Sequence, residues 1–213
     1  MSSNTKAATP EQIDAFASMK WAQPYLTSPE WIARERWRGG DPDTDIFCKS
    51  TMRANNGVTQ WLELYLKTPP GEKIKKTASF MKFDQGLNGF PGICHGGATM
   101  AFMDEGLAYA MVVNEFLDTA DNGGVARKHV EMWDAIKKGK PLIEVLKGMF
   151  VTAKLEIQFL GPVVVPGMVG IETEILELKE HKMTIRGVMK DAKGRPVMQA
   201  DGIWVKIGGA AKL

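Results

Sequence analysis

Phe90-Pro91-Gly92-Ile93-Cys94-His95-Gly96-Gly97-Ala98-Thr99-Met100-Ala101-Phe102-Met103-Asp104-Glu105 reads as a tight glycine-rich turn running directly into a helix that is apolar on almost every side. Two adjacent carboxylates, Asp104 and Glu105, interrupt that apolar surface. A charge on a buried helix is costly unless it is paired or put to use. The first N–H groups of a helix have no acceptor within it, so a start at Gly96 and Gly97 offers donors to a developing oxyanion. Such donors and a carboxylate on one buried helix point to acyl-transfer chemistry.

Distance limits how these groups can work together. Gly96 and Asp104 lie about 12 Å apart along a straight helix that rises 1.5 Å per residue. A carboxylate acting on a carbonyl, and the donor that stabilises its oxygen, must each come within about 3 Å of the same group. One copy of the helix cannot satisfy that. Two antiparallel copies about a twofold axis can, which predicts a homodimer, or a dimer of dimers, with active sites shared between subunits.

Outward from the helix the pattern changes to strands. Val151–Leu160, Met168–Leu178, Met183–Asp191 and Pro196–Ile207 read as a closing meander, with polar turns at Lys179-Glu180-His181-Lys182 and Ala192-Lys193-Gly194-Arg195. Upstream, Ile46–Arg53 and Val58–Lys67 flank Asn55-Asn56-Gly57, a hairpin signal. Thr77–Phe83 follows the turn Thr68-Pro69-Pro70-Gly71. Strands, one long buried helix from about Gly96 to Leu117, then more strands define an α+β class: an antiparallel sheet wrapped round a central helix.

The chain of 213 residues divides into an extension at 1–45, a main domain at 46–207 and a tail at 208–213. Within the extension, residues 1–9 are small and polar, and disorder is expected. Pro10 to Arg38 reads as helix in two pieces, broken at Pro24 and restarted by Ser28-Pro29-Glu30. Trp21, Trp31 and Trp37 are expected to anchor it on the sheet. Between the central helix and the next strand, about 118–149, Val125–Lys138 and Leu142–Phe150 show helical spacing. A structured insertion of this length is expected to cover something, as a lid over an acyl tunnel, or to decorate the surface or an interface.

His95-Gly96-Gly97 opening a helix with Asp104 nine residues after the histidine, and the later run Thr152-Ala153-Lys154-Leu155-Glu156-Ile157-Gln158-Phe159-Leu160-Gly161-Pro162-Val163, resemble the hotdog-fold acyl-CoA thioesterases of the PaaI-like group. The resemblance covers roughly residues 46–118 and 150–207. It implies a hotdog fold and an acyl-thioester substrate, on CoA or a carrier protein, hydrolysed without a cofactor. It implies Asp104 as the catalytic carboxylate, either nucleophile or general base, and the Gly96 N–H as oxyanion donor. Thr152 falls where the family orients the attacking water. His95 falls where the family fixes the turn by hydrogen bonding to backbone. His95, Gly97, Asn88 and Glu105 complete the group expected to meet substrate.

Several relatives carry a polar amide six residues before the histidine. Here that position is Gly89, and Asn88 takes the role if the loop is bulged. Structural readings stand beside the chemical ones: Asp104 as a cap, Thr152 as an ordinary strand residue, Cys94 as a small buried hydrophobe. Glu105 is the alternative carboxylate, about 100° further round the helix. Met100, Met103 and Met111 suit a flexible or long acyl group. The extension and insertion point to an unusual substrate, such as a polyketide or aromatic thioester. Two other functions remain open on this fold: hydration or dehydration of an acyl thioester, which needs a histidine paired with an acid across the site, and acyl-thioester binding without catalysis.

Composition narrows the rest. A net charge of +2 with no basic run gives no general attraction to nucleic acid. His95, His129 and His181 lack the spacing of a metal site, and Gly39-Gly40, Gly123-Gly124 and Gly208-Gly209 match no phosphate-binding loop. Asp104 and Glu105 break the best candidate for a bilayer span, so no membrane partner is expected. Two cysteines, Cys48 and Cys94, with no secretory leader ahead of them, suggest an intracellular, cytoplasmic protein. The ending Ala211-Lys212-Leu213 resembles a peroxisomal address.

Overall fold

The computed structural model describes residues 7–36, 38, 43–115, 117–118, 124–125 and 127–208, those from 117 to 130 by backbone alone. Helices α1 (Pro10–Asp14) and α2 (Gln23–Thr27) precede strand β1 (Trp31–Glu35), and α3 (Ile46–Lys49) leads into the hairpin of β2 (Val58–Leu66) and β3 (Lys76–Phe83). A short ribbon, β4 (Asn88–Phe90) with β5 (Ile93–Cys94), enters the long helix α4 (Gly96–Glu115). The insertion holds the pair β6 (Leu117–Asp118) and β7 (Gly124–Val125), then α5 (Arg127–Lys137) and α6 (Leu142–Val145). Strands β8 (Phe150–Phe159), β9 (Gly167–Leu178), β10 (Lys182–Asp191) and β11 (Pro196–Lys206) follow.

Seven strands form one antiparallel sheet in the order β1-β2-β3-β9-β10-β11-β8, and α4 lies across its inner face. Phe102, Met103 and Leu107 of α4 are fully buried against Val169 and Ile171 of β9 and Ile185 and Met189 of β10. Each such side chain contributes about 1.5–3 kcal/mol on burial, enough to hold the helix in the core despite its two carboxylates. Close approach depends on Gly187 of β10, where a Cβ would sit 2.8 Å from Leu107 Cδ2. The architecture is the α+β sheet-round-a-helix expected of a hotdog fold.

The outer face has its own cover. Phe16, Met19 and Ala22 of the extension are fully buried over Leu62, Leu64, Ala78 and Phe80. Trp21 donates its indole N–H to the Asp191 carbonyl at 2.9 Å, and Trp31 packs in the same cluster. Being covered on both faces explains why Trp61-Leu62-Glu63-Leu64-Tyr65 of β2 is buried without interruption instead of alternating.

Four expectations need correction. Ser28-Pro29-Glu30 does not restart a helix: Trp31–Glu35 is the edge strand β1, in register with β2 from Trp31↔Leu66 to Glu35↔Leu62. Pairing at the sheet edge satisfies its backbone and buries one face, which outweighs the local cap signal. Pro24 lies in the first turn of α2, where its missing N–H costs nothing, so it starts that helix and does not break one. Ile46–Arg53 is not a strand but α3 plus a 3-10 turn at Thr51–Arg53, and Asn55 and Asn56, both at positive φ, turn a helix into β2. In the insertion, α6 stops at Val145 because Gly148 at φ +82 reverses the chain and Phe150 already belongs to β8.

The meander is also incomplete. β9, β10 and β11 are sequential neighbours, yet β8 pairs with β11 at the far edge. The link from β8 to β9 passes along the glycine-rich turn, where Cys94 N–H donates to the Val163 carbonyl at 2.8 Å and Val165 N–H to the Gly92 carbonyl at 3.1 Å. Trp37, the Gly39-Gly40 and Gly123 positions, the His129 side chain and Ala211-Lys212-Leu213 lie outside the described residues. Among the described residues no helix is long and apolar enough to cross a membrane.

Candidate active site

Asp104 and Thr152 meet at the open side of α4. The Thr152 hydroxyl on β8 donates to Asp104 Oδ1 at 3.2 Å. Strict alternation along β8 would turn Thr152 outward with Lys154 and Glu156. A register shift opposite Ile203 and Trp204 prevents this: Ile203 faces Lys154 while Trp204 faces Thr152, leaving Ala153 as the extra residue of a bulge. The bulge lets Phe150 on one side of it, and Leu155 and Ile157 on the other, pack into the core, while exposed Thr152 turns to Asp104 of α4. Asp104 is half-buried. Burial first, then the adjacent Glu105 charge, push its carboxyl above the ordinary aspartate value, while the Thr152 hydrogen bond opposes them.

At the other end of the same face lies the helix mouth. Gly96 is the first residue of α4, so its N–H has no intrahelical acceptor. The Gly97 N–H is taken: it donates to His95 Nδ1 at 3.0 Å, which puts the imidazole proton on Nε2. His95 N–H donates to the Leu87 carbonyl at 2.8 Å, so the residue ties the turn together by both backbone and ring. The ribbon before it is bulged, with the register slipping between Asn88 and Phe90, and Asn88 is exposed. Gly89 sits in the slip because a Cβ there would lie 2.8 Å from His95 Cα. Cys94 is buried, and burial pushes its thiol up to about 11, which disfavours the nucleophilic thiolate.

Gly96 and Asp104 remain about 12 Å apart on one straight helix, so a single protomer brings Asp104 to Thr152 but not to Gly96. Around this face the chain exposes Phe90, Met100, Phe159 and Val164, and β8 lies at the sheet's edge with most residues exposed. A row of unpaired strand groups beside exposed apolar side chains is a surface suited to another strand.

Glu105 points elsewhere. Its Oε2 accepts from Arg36 Nη2 at 2.6 Å, with Arg38 Nη2 at 3.7 Å. Arg36 also binds Asp45 and stacks 4.5 Å over the Trp61 ring, while Arg38 binds Glu63 in two hydrogen bonds of 2.8 and 2.5 Å. Asp45, Cys48 and Glu105 lie close enough together to suggest cation ligands, but the Arg36 guanidinium already bonds both carboxylates. Sequence reading missed this network. The available signal was the period-two run Ile32, Arg34, Arg36, Arg38, which continues the inner face of β1 once that segment is read as a strand.

A profile of the thioesterase superfamily matches residues 91–198, half of the chain, from the turn through the central helix to the start of β11. The chain belongs to the thioesterase superfamily. Verlamelin biosynthesis protein B from a Lecanicillium species is 25% identical over 168 residues, covering 77% of this chain and 66% of that relative's length. Among solved structures, the Escherichia coli PaaI protein from the phenylacetic acid degradation operon is 16% identical, with 63% of this chain and 74% of that one covered at a TM-score of 0.45. Zebrafish thioesterase superfamily member 2 is 14% identical, with 68% and 81% covered at a TM-score of 0.44.

Proposed function

We propose that this thioesterase-superfamily chain hydrolyses an acyl thioester, on CoA or a carrier protein, at sites shared between two subunits. The observation that carries the reading is the half-buried Asp104, hydrogen-bonded to Thr152, with the Gly96 N–H, which has no intrahelical acceptor, at the start of the same helix. An antiparallel second copy across β8 and α4 would set the partner's Gly96 against this Asp104. The Gly96 N–H then stabilises the thioester oxygen as it becomes anionic. Asp104 either takes a proton from an attacking water and passes it to the departing sulfur, or attacks the carbonyl itself to form an anhydride that water then hydrolyses, the water supplying the thiol's proton. In both routes the carbon–sulfur bond breaks, the acid is released and the sulfur leaves as a thiol. Thr152 orients the carboxylate and the water. His95, with Gly97, holds the turn that aims the Gly96 N–H, and Asn88 offers an amide beside it. Glu105 is held in ion pairing away from substrate.

Free thiol release from a panel of acyl-CoA and acyl-carrier thioesters tests the reading. Aromatic and polyketide-like thioesters belong in that panel, since the Lecanicillium relative is named for a biosynthetic role. Release from at least one is expected, and none from any would refute it. The pH dependence has a defined sign. Asp104 must be ionised to act and its carboxyl is shifted upward, so kcat/KM should rise with pH through a limb above the ordinary aspartate range. A limb at the ordinary value would contradict the buried setting.

The insertion joins the domain immediately before β8, close to Thr152, and presents Leu142 and Ile143 exposed on α6. We assign it as a wall of the acyl site. Replacing residues 123–148 with a short loop should alter the preference among acyl chain lengths by about tenfold between best and worst, as expected for a few methylene contacts. An unchanged chain-length profile would make it decoration.

A further inference from the structure

The extension reaches the proposed reaction centre through charge. Beyond the last paired residue of β1, Arg36 continues the strand's inner face and is buried beside α4. Its guanidinium bonds Glu105 at 2.6 Å, bonds Asp45 and lies over Trp61. Glu105 is the residue next to Asp104, so the two carboxylates share one turn of a mostly apolar helix. Arg36 lies outside the span that matches the superfamily, which begins at residue 91.

We infer that Arg36 is a positioning residue for Asp104: it holds Glu105 toward β2 and offsets part of the negative charge that Glu105 sets beside the catalytic carboxylate. The inference rests on the reading of Asp104 as catalytic. Other charged groups around α4 are engaged elsewhere. On β8, Thr152 faces Asp104 while Lys154 pairs with Glu156. On β3, β9, β10 and β11, Lys76 pairs with Glu174, Lys190 with Glu172, and Arg186 with Asp201, all on the outer face; Lys82 is exposed. Lys206 of β11 lies over the Phe150 ring. On β2, Glu63 pairs with Arg38, and Cys48 of α3 is a thiol that burial pushes up to about 12. Glu105 is therefore the charge set to repel Asp104, and Arg36 is its shortest ion pair.

The test is the acid limb of kcat/KM in four variants of the full chain. Arg36→Gln leaves Glu105 without its closest cation and should move the limb upward by about 0.5–1 pH unit. Glu105→Gln removes the repulsion while Arg36 remains, and should move the limb downward. The double variant should return it toward wild type, and Arg36→Lys should hold it near wild type. Shifts of opposite sign support the inference, because a purely structural role would lower stability without moving the limb. An unmoved limb, or shifts in one direction, would overturn it. If Arg36→Gln alone does not fold, the double variant set against Glu105→Gln decides: a higher limb in the double variant supports the inference, and equal limbs overturn it. Asp104→Asn separates the two levels. Full activity in that variant removes the catalytic reading itself, whereas an inactive Asp104→Asn beside an unmoved Glu105→Gln limb removes only the role of Arg36.

Discussion

Asp104→Asn is expected to lower kcat/KM for thioester hydrolysis by about 10²–10⁴, the range a positioned general base supplies, and by more if the carboxylate is itself the nucleophile. The substitution keeps the shape of the side chain and an oxygen able to accept from the Thr152 hydroxyl. A folding defect is therefore not the expected cause of the loss. Stability gives an independent readout. The folded Asp104 carboxyl is shifted upward, so between the ordinary and the shifted value the folded state binds more protons than the unfolded one. Stability from this group is present below that window and lost as pH rises through it. At neutral pH the ionised Asp104 is thus a cost, and Asp104→Asn should melt at or above the wild-type temperature. An inactive but more stable variant is the pattern of a group kept for chemistry. Near-wild-type turnover would reduce Asp104 to a cap.

That strain is visible because the surroundings are otherwise well matched. The neighbouring Glu105, placed about 100° further round the helix, finds Arg36 and a polar pocket against β2. Asp104 finds one hydroxyl and an open face. Adjacent residues of the same type have opposite circumstances, and the difference comes from which way the helix turns them. The glycine-rich start and the long apolar run made this helix readable from sequence, because its only charged residues before Glu115 at its end were the two acids. The strands after it were readable from alternation. What alternation could not reveal was the extra residue at Ala153, since a bulge changes which face a side chain takes without changing composition. Likewise, Trp31–Glu35 carries a local helix-start signal that pairing with β2 overrides, and misreading it concealed Arg36 and Arg38. Ile46 and Phe47 looked like strand residues, yet both are exposed on α3 while Cys48 alone points inward. The elements legible in sequence are those whose apolar pattern repeats along their length; the ones missed are set by pairing or packing with a segment distant in sequence.

The proposed sharing of the site between subunits yields the sharper test, because it predicts recovery from two dead parents. Gly96→Pro removes the proposed oxyanion N–H at the first helical position, where proline suits the helix. A Cβ at Gly96 meets nothing nearer than the Phe159 ring at 3.8 Å, so bulk alone is tolerated and Gly96→Ala should stay close to wild type. Gly96→Pro should lose about 10²–10³ in kcat, the cost of one oxyanion donor. Now mix Gly96→Pro with Asp104→Asn and let the subunits exchange. A mixed dimer has one site built from both defective groups and one built from both intact groups. Random exchange makes half the dimers mixed, so activity should return to about a quarter of wild type. Each parent alone stays near zero, and the recovery should vanish when exchange is blocked by crosslinking each parent before mixing. Were Gly96 and Asp104 of one chain to serve the same thioester, every site in the mixture would carry a defect and nothing would return. The about 12 Å between them along α4 makes that outcome incompatible with their acting on one carbonyl, so a mixture without activity would dismantle the oxyanion assignment of Gly96 and the shared site together.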